Sequence, residues 1–235
     1  MQVKILKDSY RHDILQYLDN KNNIGIELGV AQGVFAKRLL SSNKFKILFG
    51  VDSYNQHPHN TDEYAGVLKN IGLDERYKLL RLSFDEAVKI FPDNYFDFIY
   101  IDGFAHSGQE GGKTLIDWYK KLKVGGIFSG DDYHADWPLV KWAVNGFVEQ
   151  IEDVELLITD TTEEIPFCRY PSWFFIKKNN KEINFEKNNS LIIISSVETF
   201  CIKLVRLIRW HFTKIVGAIL AKIGLKEKVK NLLKL

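Results

Sequence analysis

Glu27, Gly29 and Gly33 stand in the run Glu27-Leu28-Gly29-Val30-Ala31-Gln32-Gly33, where an apolar stretch gives way to a helix-period one. A glycine straight after a strand permits a tight turn with close backbone approach, and the helix behind it presents unbonded amide N–H groups. Asp52 ends the next apolar run, 19 residues after Gly33, where an acid can accept hydrogen bonds from two ribose hydroxyls. Together these residues suit a nucleoside-bearing ligand; taken singly, each also reads as a glycine turn or a solvated aspartate. The spacing differs from the dinucleotide fingerprint Gly-x-Gly-x-x-Gly, which argues against a nicotinamide or flavin enzyme.

Asp102 and the pair Asp131-Asp132 close two later apolar runs. Neighbouring parallel strands end on one rim, so the three carboxylates converge there and repel unless something neutralises them. A hard divalent cation such as magnesium does so with oxygen ligands. Asp102, Asp131 and Asp132 are therefore the expected metal set, with capping of the next turn as the alternative for the pair. A metal-bound hydroxyl loses its proton far more easily than a free one. His106, four residues after Asp102, is the expected general base, with His134 in reserve. His57 and His59 either line an acceptor site or are solvated loop residues.

These side chains need a scaffold that brings strand ends together. Strands are expected at 24–28, 47–51, 77–82, 96–101, 127–130, 154–159 and 173–177. Helices are expected at 8–18 (capped by Asp8 or Ser9), 34–40, 63–71, 84–90, 113–122 and 137–147. Short apolar strands alternating with helices imply a doubly wound α/β fold. The reading is a mostly parallel seven-stranded sheet with an antiparallel pair at one edge. Ligands bind such sheets at the carboxyl ends of the strands.

Composition is that of a soluble globular chain, 46% apolar and 26% charged over 235 residues. Cys168 and Cys201 lie far apart, without metal-ligand spacing, and the amino terminus carries no secretory pattern. A cytoplasmic protein is expected. The polar stretch 181–190 reads as a linker after a domain at 1–180. Residues 191–235 hold nine Lys or Arg against two Glu, a charge of +7 that leaves −5 on residues 1–190. Leu204, Ile208, Phe212, Ile215 and Ile219 recur at helical spacing in that tail. A basic amphipathic helix can dock on its own domain or a second copy, or lie on an anionic inner-membrane surface. Nucleic acid is a poor partner for it.

Gly25 to Gly33, then Phe49-Gly50-Val51-Asp52, resemble the first two motifs of class I S-adenosylmethionine-dependent methyltransferases. The resemblance runs on, in order, through Arg81 to Ala87, Phe91 to Gly103 and Leu122 to Tyr133. Within that class the chain looks like the methyltransferase-24 or macrolide-sugar O-methyltransferase group, in its Ile-Asp-Gly and Gly-Asp-Asp-Tyr segments. The resemblance implies that Glu27 and the Gly29–Gly33 loop hold the methionine part of S-adenosylmethionine. It also implies that Asp52 holds the ribose, that Ser83 lies beside the adenine and that Asp102 adjoins the cofactor. Macrolide-sugar enzymes bind magnesium at matching strand ends. Relatives read Asp-Gly-x-His-x-Tyr, whereas Asp102-Gly103-Phe104-Ala105-His106 has one extra residue and no tyrosine follows. The expected activity is O-methylation of a sugar or small polar acceptor in glycoside or polysaccharide synthesis. The alternatives are a metal-independent methyltransferase on another nucleophile and a metal-dependent glycosyltransferase.

Overall fold

A computed structural model describes residues 2–19, 21–55, 59–103, 112–151, 153–162 and 169–183. In the tail it describes 200–201, 204–205, 207–212, 214–216, 218 and 222. The strands are β1 (Gln2–Leu6), β2 (Asn23–Leu28), β3 (Phe45–Val51), β4 (Tyr77–Leu80), β5 (Phe96–Ile101), β6 (Leu122–Gly130), β7 (Glu155–Thr159) and β8 (Trp173–Ile176). The helices are α1 (Val34–Ser41), α2 (Thr61–Ile71), α3 (Phe84–Ala87, one turn), α4 (Lys113–Tyr119) and α5 (Pro138–Gln150), with a 3-10 helix at Arg11–Tyr17.

All eight strands form one sheet in the order β1-β7-β8-β6-β5-β2-β3-β4. The pairs from β6 through β4 are parallel, and β8 runs antiparallel to both of its neighbours. The doubly wound α/β reading holds, and β7 and β8 form the expected antiparallel pair, one strand in from the sheet edge. An eighth strand was not foreseen. β1 pairs in parallel with β7, from Gln2 opposite Glu155 to Leu6 opposite Thr159, and takes the edge outside the antiparallel pair. Its partner among the described residues lies about 150 residues away, and the short alternation Gln2-Val3-Lys4-Ile5 is a weak local sign beside the longer apolar runs. The expected helix over 8–18 is shorter and wound as a 3-10 helix after Tyr10, with neither Asp8 nor Ser9 as its cap.

Side chains along β5 alternate between the two faces, as a pleated strand requires. Ile99 and Ile101 join the layer built by Trp118, Phe128, Phe147 and Phe175, whereas Phe98 and Tyr100 join that of Ile14, Leu39, Phe45 and Leu48. Phe128 sits among four rings, with centroids 5.6–5.8 Å from Tyr119, Phe147, Trp173 and Phe175. Lys177 is buried at the opposite end of the sheet. Its Nζ donates to the carbonyls of Tyr119 at 3.0 Å and Leu122 at 2.6 Å, and burial lowers its pKa to about 8.

The ring cluster makes a direct stability prediction. Phe128→Ala leaves a cavity between two packed layers and should cost about 3–5 kcal/mol in urea unfolding. Phe200→Ala removes a ring that is 64% exposed and should change stability by less than about 0.5 kcal/mol.

Candidate active site

The carboxyl ends of β2, β3, β5 and β6 form one rim, and backbone bonds carry the ladder one step past each strand. Gly29 N–H donates to the Val51 carbonyl at 2.8 Å, Asp102 to Leu28 at 2.7 Å and Asp131 to Ile101 at 3.0 Å. Gly29, Asp52, Asp102 and Asp131 are thereby lined up side by side, as the spacing of the apolar runs foretold.

The loop between β2 and α1 is held in a tight curl. Gly29 has φ +94°, and a Cβ there would lie 1.6 Å from the Asp102 carbonyl oxygen. Gly33 opens α1 at φ +74°, and Ala31 between them is also left-handed at φ +46°, an uncommon and strained setting for a residue with a side chain. Asp52 stabilises the curl: its Oδ2 accepts from the amides of Val30 and Ala31, both at 3.0 Å, and its Oδ1 from that of Tyr54 at 3.1 Å. The buried Tyr54 hydroxyl donates to the Ala31 carbonyl at 2.9 Å. A carboxylate offers about four acceptor positions, so Oδ1 keeps capacity for a ribose hydroxyl while Asp52 tethers the loop.

Glu27 lies beneath this loop, 1% exposed, and its Oε2 has no hydrogen-bond partner among the described residues. Burial raises its pKa from 4.5 to about 8, against the pull of Arg11. A buried acid with an open acceptor is matched by a cationic donor. This orphan oxygen and the close-approach loop fit an S-adenosylmethionine cofactor, whose methionine part carries an ammonium group.

The acid cluster holds a surprise, because its neutralising cation belongs to the chain. Arg11, 4% exposed in its side chain, reaches in from the 3-10 helix. Its Nη1 lies 3.4 Å from Asp102 Oδ2 and 3.8 Å from Asp131 Oδ2, and its guanidinium stacks 4.3 Å over Phe35. Asp131 Oδ1 accepts from the Ser172 hydroxyl at 2.8 Å, and that hydroxyl also lies 2.8 Å from the Tyr100 hydroxyl. Burial and then Asp132 raise Asp131 to about 6, while burial and then Asp131 hold Asp102 well above the usual carboxylate range. Asp102 keeps a quarter of its side-chain surface open.

The convergence of Asp102 and Asp131 is as expected, but the proposed metal set does not fit. The guanidinium stands against both carboxylates where magnesium would need them. Asp132 follows at φ +61°, partly exposed, so the expected pair is split between a buried and a half-open position. Among the described residues no cluster of three His, Cys, Asp or Glu could hold a metal ion.

Ser83 is the N-cap of α3, in a capping box with Glu86, its hydroxyl 2.7 Å from Glu86 Oε2. His106 and His57 lie outside the described residues. His134 is exposed, with its Nδ1 accepting from the Asp136 amide at 3.1 Å, and His59 pairs with Glu63 at 2.7 Å. Sequence reading missed Arg11 and Ser172. Neither sits in a motif, and an arginine ten residues from the amino terminus gives no sign that it will be buried.

The methyltransferase-domain family matches residues 26–133, the stretch from β2 to the rim loop after β6. The fold is similar to a spermidine synthase of Thermotoga maritima, with 18% identity, TM-score 0.54, and coverage of 74% of this chain and 61% of that one. It is also similar to a candidate rRNA methylase of Clostridium thermocellum, with 16% identity, TM-score 0.51, and coverage of 72% and 94%. The chain spans about 60% of the length of the spermidine synthases it matches. No curated protein matches the sequence.

Two predictions come from these charges. Arg11→Met strands two buried carboxylates and should cost about 3–5 kcal/mol at pH 8. The cost should shrink as pH falls below about 6, where Asp131 takes up its proton, and Asp102→Asn in the same chain should restore part of it. Glu27 keeps its proton folded at pH values where the unfolded chain has lost it, so its contribution to stability falls as pH rises from about 4.5 to about 8. Thermal melts of wild type should therefore show a decline across that window which Glu27→Gln flattens.

Proposed function

We propose that the chain is a class I, S-adenosylmethionine-dependent methyltransferase that methylates a hydroxyl of a sugar or similar small polar acceptor without a bound metal. One observation carries the metal-free part: the cation between Asp102 and Asp131 is Arg11. The cofactor part rests on the curled loop above an unpartnered, buried Glu27.

Bound S-adenosylmethionine supplies a methyl group already activated by a sulfonium, and S-adenosylhomocysteine is the product. The chain's own residues bind, orient and move one proton. The Gly29–Gly33 loop, tethered by Asp52, forms the floor of the cofactor site, and Glu27 offers a carboxyl oxygen to a cationic group. Asp52 keeps an acceptor for the ribose, and Ser83 stands on the same rim beyond β4. The rate gain then comes from alignment of an acceptor hydroxyl with the methyl group. The hydroxyl must also give up a proton. Asp102 is suited to take it, because its proton affinity is above that of an ordinary carboxylate and its side chain is partly open. His106 is the second base in this reading, on the segment that follows Asp102.

Calorimetry with S-adenosylhomocysteine tests the cofactor site. Micromolar binding is expected, weakened at least about tenfold by Asp52→Ala, which removes a charged acceptor, and by Glu27→Gln, which keeps an acceptor oxygen but loses the charge that answers an ammonium. Absence of binding to wild type would sink the reading. Turnover on a panel of free and nucleotide-linked sugars, read as a mass gain of one methylene, should persist in EDTA. It should drop roughly 10²–10⁴-fold in Asp102→Asn. Loss in EDTA with rescue by magnesium would return the metal.

A further inference from the structure

The tail poses a question that the catalytic domain leaves untouched. Every described residue between Phe200 and Lys222 is helical. Phe200, Leu204, Leu207, Ile208, Phe212 and Ile215 are each 43–66% exposed, so the described part of the domain does not cover them. At 3.6 residues per turn these six fall within an arc of roughly 150°. Arg209 and Lys214, both exposed, lie outside it, as do the positions of Lys203 and Arg206 in the sequence. Trp210 is on the cationic side, with Lys214 Nζ 4.0 Å over its ring. No helix among the described residues is long and apolar enough to cross a membrane.

We infer that this helix lies in the surface of an anionic lipid bilayer, apolar arc inward, and carries the catalytic domain to that surface. Charge favours a lipid surface over a pairing of two tails. Two tails brought together would set +7 against +7, whereas a bilayer of acidic lipids answers both the apolar arc and the flanking cations. The acidic domain, at −5 over residues 1–190, is repelled by the same surface, which leaves the tail as the contact.

The test is co-sedimentation of the full chain with vesicles of phosphatidylcholine alone and with about a third phosphatidylglycerol. The partition coefficient should be at least tenfold higher on the acidic vesicles and should fall when salt is raised from about 0.1 to about 0.5 M, as screening requires. Leu204→Asp/Ile208→Asp should abolish binding while leaving S-adenosylhomocysteine affinity and the melting temperature of the domain unchanged. Equal binding to both vesicles, or binding that survives the double substitution, would overturn the inference. So would light scattering that shows a stable dimer, broken by the same substitution, with no affinity for vesicles; the occupant would then be a second copy.

Discussion

Arg11 between Asp102 and Asp131 is the interaction on which the rim depends. Parallel strands ending together deliver their acids to one place, and buried acids without a counter-charge either take up protons or push apart. A guanidinium, always charged and planar, can face two carboxylates while its flat side rests on Phe35. Its placement is built up from far away. β1 pairs with β7 at the sheet edge, and the Ser9 carbonyl then accepts from the Thr161 amide at 3.1 Å. That contact launches the 3-10 helix across the end of the sheet with Arg11 at its start. Ser172, next to β8, completes the ring of contacts around Asp131. The element that looks most peripheral in the fold therefore positions the cation at its centre.

The balance at the rim is nevertheless acidic. Among the described residues Glu27, Asp52, Asp102 and Asp131 gather around the buried Arg11, and burial first, then the neighbouring carboxylates, keep the proton affinities of Glu27, Asp102 and Asp131 raised in spite of it. A site of this kind favours a cationic ligand, and S-adenosylmethionine brings both an ammonium and a sulfonium. Asp52 and Tyr54, from the neighbouring strand end, hold the curl of the loop above Glu27. The strain of a left-handed Ala31 is thus held by hydrogen bonds outside the loop itself, which is how pre-organised sites are commonly maintained.

Charge is also divided along the chain. The domain is acidic and the tail basic, and the described residues leave the apolar side of the tail helix uncovered.

Most of the fold was legible in the sequence because it is written in local signals. Runs such as 96–101 are apolar on both faces only when a strand is covered twice, and Gly29 and Gly33 mark a turn that other residues fill at a steric penalty. Those signals determined the class, the order of strand and helix from β2 to β8, and the meeting of Asp102 with Asp131. Ser83 and Asp52 also fell on the rim, although the duties of Asp52 toward the loop amides were not visible. The tertiary structure alone decided what neutralises the acids. β1 has only the short alternation Gln2 to Ile5 and Arg11 no motif of its own; each acquires its role from a partner about 90 to 150 residues away, and a contact of that range leaves no mark on the residues beside it.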